Sequence, residues 1–523
     1  MKLYSKKPFL MKNSNIATIK RDGDLKSPWQ ADLTSSATTI PEKISETIFD
    51  CLVVGGGITG LSTALLLQKA GKNVMLAEAN SIGFGTTGGT SAHINNFADT
   101  TYKEVESAFG KEGASLFARA IAEGQDLIRE NINDYKIECD YDSKTAIVYA
   151  EDDDQVEQLT SLFAGLAMVG IHARFTDIIP VSIPFKKAIS IENQAQFHPL
   201  KYLQGLQKAY LTAGGNLAEH TRINKVSTSN DIHIAESSQM TIRAKSVIYA
   251  THMPPNINVM NLKLAPYRSY VLGVKLKSDK YPDELVYDLQ EPYHYFRTHT
   301  IEGEKLLIAG GNDHKTGHED PEKQMADLEK YIRKYFNVSS VKYKWSSQYY
   351  VPVDGLPYIG QMPLTKNGIY CATGFNGNGM MLGSVAAKIL TDLVIKGENI
   401  YKELFDPCRV KPIDSFKEFV TENADVAYHL VADRFGIHET DSLKRIEPGT
   451  GKLVEIDGKK VAAYRDEKGT IHALSPTCTH MGCIVNWNQE EKSWDCPCHG
   501  ARFDIDGKVL TGPATIDLPQ MQE

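Results

Sequence analysis

At 523 residues the chain is too long for one ordinary domain, and at about 150 residues per domain it holds roughly three units. Hydrophobic residues make up 42% and charged residues 23%, the proportions of a globular protein and not of a disordered or fibrous one. The formal net charge of -8 argues against nucleic acid or an anionic membrane as the main partner, and no apolar run is long enough to span a bilayer.

Residues 1–45 are polar, rich in Lys, Ser and Thr, and without a clear period; they read as an extension lying over the body. Their opening, MKLYSKKPFLMKNSN, is basic but has no sustained apolar core, so no secretory signal is expected and the cytoplasm is the expected compartment. From Phe49 the pattern changes. FDCLVV has strand length, GGGITG follows at once, LSTALLLQKA reads as helix with Gly71 at its C-terminal cap, and NVMLAEA is a second strand. Further on, FARAIAEGQDLIRENI reads as helix, and TAIVYA, SYVLGVKL, PYHYFRT and KLLIAGG read as strands. Residues 369–397 return to strand, glycine loop and helix, and 408–438 read as a polar linker containing a helix. From 439 the texture is short alternating strands and turns, as in KLVEIDGKKVAAYRDEKGTIHAL, which predicts a small antiparallel β-domain.

Gly55, Gly57 and Gly60 form G-x-G-x-x-G between the first strand and its helix. The first glycine permits the tight turn, the second lets a pyrophosphate approach the backbone, and the third lets helix pack on strand. The helix N-terminus offers free N–H groups to phosphate. Glu78 closes the second strand eighteen residues after Gly60, where a carboxylate binds ribose hydroxyls. The fingerprint predicts a dinucleotide site without separating FAD from NAD.

Four of the eight cysteines fall between Cys478 and Cys498, a clustering that reads as metal chemistry. Cys478 and His480 make a C-x-H pair, Cys496 and His499 a C-x-x-H pair. Two facing loops of this kind give two thiolates to one iron and two imidazoles to the other, the donor set of a Rieske [2Fe–2S] centre. The same donors suit tetrahedral zinc, although zinc pairs are usually spaced differently. CTHMGC with CPCHGARF and the following GPA resembles the Rieske domain of respiratory and photosynthetic cytochrome complexes. The resemblance covers about the last 85 residues. It implies cluster ligands Cys478, His480, Cys496 and His499, a disulfide between Cys483 and Cys498, and a covering loop at Gly512 and Pro513. Neutral imidazoles in place of thiolates would raise the potential to roughly -150 to +300 mV, against about -400 mV for an all-cysteine cluster.

The stretch from about 49 to 405 resembles the FAD-dependent amine and amino-acid oxidases of the D-amino-acid oxidase superfamily, which include glycine and sarcosine oxidase. GFGTTGGTSAH matches the family's loop after the ribose-binding acid and implies FAD contacts at Thr86 and Thr87. IYATHMP implies contacts at Ala250 and Thr251, and Arg222 with Ile223 occupies the adenine-contacting turn. VDGLPYIG and YCATGFNGNGM match the flavin-edge segments and imply contacts at Gly374, Gly377, Gly379 and Met380. The helix after them buries Leu382, Val385, Ala386, Ile389, Leu393 and Val394 on one face, and its positive N-terminus suits the charge of a reduced flavin. Arg268 and Arg297 are candidate anchors for a substrate carboxylate, with Tyr295, Tyr270 and His93 beside the ring. Cys51 and Cys371 read as core residues, so no covalent flavin is expected.

The expected fold is therefore α/β plus β. A Rossmann-like FAD-binding domain (segments about 49–105, 190–265 and 350–405) interleaves with a mixed-sheet substrate domain (about 106–189 and 266–349) to fill 46–407. A small antiparallel β Rieske domain occupies 439–523. The expected activity is oxidation of an amine or amino acid, with electrons passing from FAD to the [2Fe–2S] cluster and on to an external acceptor. A redox-sensing or electron-relay protein without small-molecule turnover is the alternative. A nicotinamide-fed flavin reductase is disfavoured by the single complete fingerprint. No nucleic-acid partner is expected.

Overall fold

The computed structural model describes residues 21, 25–31, 40, 44, 46–410, 429, 443–456 and 458–521. The linker read at 408–438 therefore lies outside the described residues except for 408–410 and 429.

The first strand, β1 (Ile48–Val54), is apolar along most of its length because it is buried on both faces, with parallel neighbours Val74–Ala77 and Thr241–Tyr249. It feeds α1 (Ile58–Lys69), which ends with Gly71 at φ +81°, and β2 (Val74–Ala77) follows. These strands belong to an eight-stranded sheet ordered Tyr358–Gln361, Ile369–Thr373, Thr241–Tyr249, β1, β2, Asn216–Ala218, with a hairpin (Lys225–Ser229, Ile232–Glu236) on Thr241–Tyr249. Helix α1 packs against the helices Gly379–Lys396 and Pro199–Thr212. Leu382, Val385, Ala386, Ile389 and Leu393 are buried on the first of these, as the period predicts, and Val394 is half-buried.

The second sheet has nine strands and crosses from the long strand Val338–Pro352, through Leu264–Leu276, Glu304–Lys315, His294–Ile301, Leu285–Tyr287 and Asp142–Ala150, to Lys187–Gln196 and His93–Ile94, with Ala173–Thr176 also paired to Lys187–Gln196. It is mixed, since Leu285–Tyr287 runs parallel to Asp142–Ala150 while the other pairs are antiparallel. The predicted helix lies within Tyr102–Tyr135, which opens with a Thr101/Glu104 capping box and kinks at Gly110.

The C-terminal region folds as a three-stranded sheet (Thr450–Ile456, Lys459–Arg465, Ile471–Leu474) and a four-stranded sheet (Asn486–Asn488, Ser493–Asp495, Arg502–Phe503, Val509–Thr511). Its own core is built on Trp494, Phe503, Val485 and Leu474. The described part of the N-terminal extension is pinned to the body. Trp29 is buried, its Nε1 donates to the Thr90 carbonyl at 2.7 Å, and Ser27 Oγ donates to the Gly88 carbonyl at 2.6 Å.

Candidate functional site: a dinucleotide cradle facing a Cys/His pair

Gly55 turns at φ +110°, and a Cβ there would lie 2.4 Å from the Ala250 carbonyl oxygen. A Cβ on Gly60 would lie 1.9 Å from the Gly55 oxygen, so these two positions let α1 and the strand Thr241–Tyr249 close on the turn. The Glu78 carboxylate accepts from the Gly56 N–H at 2.6 Å and the Asn80 N–H at 2.8 Å; burial nevertheless pushes its pKa up. Thr87 Oγ1 accepts from the Ile58 N–H, and Thr86 Oγ1 lies 3.1 Å from His252 Nδ1. A cavity of about 590 Å³ opens above these groups. Gly55, Gly57, Glu78, Thr86, Thr87, Ile223, Ala250, Thr251, Gly377, Gly379 and Met380 line it. Gly60 does not, because it serves helix–strand packing behind the cradle. Gly374 also lies off the wall, turned at φ +75° with Leu264 against it.

Beyond the cradle the cavity is walled by His93, Phe97, Tyr287, Tyr293, Tyr295 and Tyr349. Asp99, also on the wall, accepts from the Gly377 N–H at 2.7 Å and so ties the flavin-edge loop to this compartment. Burial, aided by the nearby Arg297 charge, holds the His93 pKa well below the usual imidazole range, so the ring is neutral. Its Nδ1 lies 2.9 Å from Ser91 Oγ, while Nε2 is buried without a partner among the described residues. Tyr349 donates to Asp313 at 2.7 Å, and burial pushes Asp313 up to about 7.

The arginines depart from expectation. Arg297 shares a strand face with Tyr295 but does not line the cavity. Its Nη1 donates to the Ala92 carbonyl at 2.8 Å, and its guanidinium packs 5.2 Å from the Trp29 ring. A buried guanidinium must find acceptors, and backbone carbonyls beneath the floor supply them. Arg268 does reach the wall, yet its Nη1 is paired with Glu491 at 2.9 Å, a residue 223 positions later. Its Nε and Nη2 have no partner among the described residues. Tyr270 turns away from the cavity to His314 Nε2 at 2.9 Å. Cys51 and Cys371 are fully buried in strands and lie off the cavity.

The second centre is made of two loops of the same design. In one, the Gly482 N–H donates to the Cys478 carbonyl; in the other, the Gly500 N–H donates to the Cys496 carbonyl. Both glycines have positive φ, +85° and +70°, which folds each loop back on its cysteine. The Cys483–Cys498 disulfide joins the loops. The sulfurs of Cys483, Cys496 and Cys498 lie within 4.8 Å of one another, but the disulfide consumes two of them. Cys478 and Cys496 remain as buried thiols, hydrogen-bonded to each other. The His480 and His499 rings sit with centroids 4.9 Å apart. His480 Nε2 lies 3.3 Å from the Asn256 carbonyl, which leaves Nδ1 as its lone-pair nitrogen. That Nδ1 and both nitrogens of His499 are buried without a partner among the described residues. Burial holds both imidazoles neutral, with His499 down to about 3. Two thiols, two neutral imidazoles and orphaned buried nitrogens fit an S2N2 diiron cluster.

The two centres meet. Leu510, Thr511, Gly512, Ala514 and Thr515 of the C-terminal domain line the same cavity as the cradle. Glu491, Asn256, Gln348 and Tyr350, which build this junction, carry no motif-level signal of that role, because their contacts cross well over a hundred residues of sequence.

Residues 50–393 match the family described as FAD dependent oxidoreductase, and residues 436–522 match the Rieske [2Fe-2S] domain. A Rieske 2Fe-2S iron-sulfur protein of Bacillus subtilis (strain 168), YhfW, is 34% identical over 492 residues, covering 92% of this chain and 95% of that protein. Gamma-glutamylputrescine oxidoreductase of Escherichia coli (strain K12) is 23% identical over 74% of this chain and 93% of its own length. Among solved structures, glycine oxidase from Geobacillus kaustophilus superposes with a TM-score of 0.55 at 17% identity, over 69% of this chain and 99% of that one; this likeness is one of fold. Cradle, cavity and Cys/His loops thus agree with the sequence matches, and the chain belongs to the FAD-dependent oxidoreductases, with a Rieske [2Fe–2S] domain joined at its C-terminal end.

Proposed function

We propose that the enzyme oxidises the C–N bond of an amine or amino acid in the aromatic part of the cavity, and that the electrons leave through the cluster to an external acceptor. The observation that carries this reading is the shared cavity, in which the dinucleotide cradle, an aromatic chamber and the Rieske segment Leu510–Thr515 face one space. FAD, when bound, supplies hydride acceptance and release of electrons one at a time.

The chain's own groups do the rest. Four tyrosines on the wall, Tyr287, Tyr293, Tyr295 and Tyr349, have phenol pKa values raised by burial and stay neutral, presenting ring faces that attract a cationic amine. His93, neutral and with Nε2 unpartnered, takes the proton that a substrate ammonium must lose before its C–H bond breaks. Arg268 Nε and Nη2 are the donors open to a substrate carboxylate, while Nη1 is already neutralised by Glu491. Gly379, Met380 and Met381, which open the helix Gly379–Lys396, line the cavity, and the positive end of that helix stabilises negative charge developing there.

The test is anaerobic rapid mixing of the holoprotein with matched pairs of amines and their α-carboxylated counterparts, and separately with NADH. The expected result is flavin bleaching by members of the amine panel, followed by reduction of the cluster. Bleaching by NADH alone would reject the reading in favour of a reductase.

A further inference from the structure

We propose that Tyr350 and Asn256 clamp the histidine end of the cluster site onto the wall of the flavin cavity, so that the Rieske domain accepts electrons while docked here and does not swing to collect them. The inference rests on the flavin-to-cluster transfer proposed above.

Two points of contact define the clamp, one for each histidine. Tyr350, fully buried on the strand Val338–Pro352, donates its hydroxyl to the His499 carbonyl at 3.0 Å. Asn256, in the loop after the nucleotide-contacting strand, offers its carbonyl to His480 Nε2 at 3.3 Å, and its N–H donates to the Pro513 carbonyl at 3.2 Å. Gln348 braces the first contact by donating from Nε2 to the Tyr350 hydroxyl at 3.1 Å and to the Gly500 carbonyl at 3.0 Å. On its other side the Tyr350 ring meets His252 edge-on, with centroids 4.7 Å apart, and His252 lines the cavity. One aromatic ring therefore separates the cavity wall from the backbone of a cluster-site histidine.

The fit of the two domains is close enough to need glycine on both sides. A Cβ on Gly500 would lie 2.6 Å from Gln348 Nε2, and one on Gly317 would lie 2.8 Å from the Pro497 backbone. The junction also buries Glu491 between Arg268 of one domain and Arg502 of the other. Undocking would break the Arg268–Glu491 pair, which a shuttling domain would have to do on every cycle.

The electron balance suits a fixed acceptor. With both groups loaded, the substrate would give a hydride to FAD, and the two electrons would leave singly to the cluster held by Cys478, His480, Cys496 and His499, each reducing one ferric iron to ferrous, while the protons would pass to solvent. A one-electron carrier would reoxidise the cluster after the first transfer, before the second electron followed. Tyr350 is a positioning residue in this scheme, because it acts through the His499 loop.

The experiment is anaerobic single turnover of the full-length holoprotein, recording flavin bleaching optically and the reduced cluster by EPR. It is run on wild type and Tyr350→Phe, and on wild type at raised viscosity, with dithionite as the control for cluster content. The clamp predicts that Tyr350→Phe slows cluster reduction roughly tenfold or more relative to flavin bleaching, with shifted g-values. It also predicts that the wild-type transfer rate ignores viscosity. Unchanged rate and g-values in Tyr350→Phe would overturn it, as would a wild-type rate that falls in proportion to viscosity. The viscosity arm needs no variant. A wild-type cluster that stays oxidised beside bleached flavin would bring down the transfer reading and the clamp with it, a result distinct from the other two.

Discussion

Glu491 is fully buried and holds guanidinium groups from two domains, Arg268 and Arg502, together with the Ser346 hydroxyl. Its worth lies in what its loss would expose. Glu491→Ala leaves the buried Arg268 without its counter-charge, while Arg502 keeps Asp495 at 3.1 Å, and the expected cost is about 3–5 kcal/mol, read as a drop in the urea midpoint of the transition that releases the cluster. Asp313 carries a second prediction. Burial pushes its carboxyl up to about 7 in the folded chain, against about 3.9 when unfolded. Between those values the folded state binds the extra proton. Its contribution to stability is therefore fully present below about pH 4 and is lost as pH rises through about 7. Asp313→Asn is expected to flatten the slope of stability between pH 4 and 7, measured by chemical denaturation across that range. Local pattern could not announce either carboxylate, since an acidic side chain in a short polar stretch ordinarily faces water.

At the scale of elements, β1, α1 and β2 were legible because three signals coincide: an apolar run of strand length, a glycine turn and an apolar stretch of helix length closed by Gly71. The two cluster loops were legible for a similar reason, since the spacing of Cys478, His480, Cys496 and His499 survives in any fold that brings the loops together. Pairing order in the nine-stranded sheet was not legible, because strands of similar composition are interchangeable until their neighbours exist. Strand alternation put Tyr295 and Arg297 on one face, as found, but could not say where the cavity floor ends between them. The turn of β1 into α1 yields a direct prediction. Gly60→Ala would place a methyl 1.9 Å from the Gly55 oxygen, forcing α1 off the turn. The expected outcome is FAD lost on gel filtration, with affinity down by at least about tenfold, checked by the fluorescence of released flavin.

At the scale of the whole molecule, Arg21 of the N-terminal segment and Leu510–Thr515 of the C-terminal Rieske domain converge on the same cavity. Gln30 Nε2 donates to the Phe84 carbonyl at 2.9 Å, Ser27 to Gly88, Trp29 to Thr90, and Arg21 to the Ser346 carbonyl at 2.9 Å. The first three bonds fasten the loop that carries Thr86 and Thr87, and the fourth ties Arg21 to the strand Val338–Pro352. A chain lacking residues 1–31 leaves buried carbonyls unsatisfied at about 1–3 kcal/mol each. Weaker FAD retention is expected, with the Rieske cluster's own EPR signal preserved, and titration of the apoprotein with FAD checks it.

The sequence alone determined a dinucleotide turn and a four-donor metal site, because phosphate binding needs a glycine turn at a helix start and an S2N2 site needs its donors at tight local spacing; the resemblance to two families implied FAD and a [2Fe–2S] cluster. Both requirements are met within short stretches of chain. Only the tertiary structure decided which arginines reach the cavity, and that Glu491 occupies one of them. It alone brought His252, Gln348, Tyr350 and Asn256 between the two centres. Those arrangements depend on contacts between residues far apart in the chain, which side-chain burial and hydrogen-bond satisfaction fix only once the domains have packed.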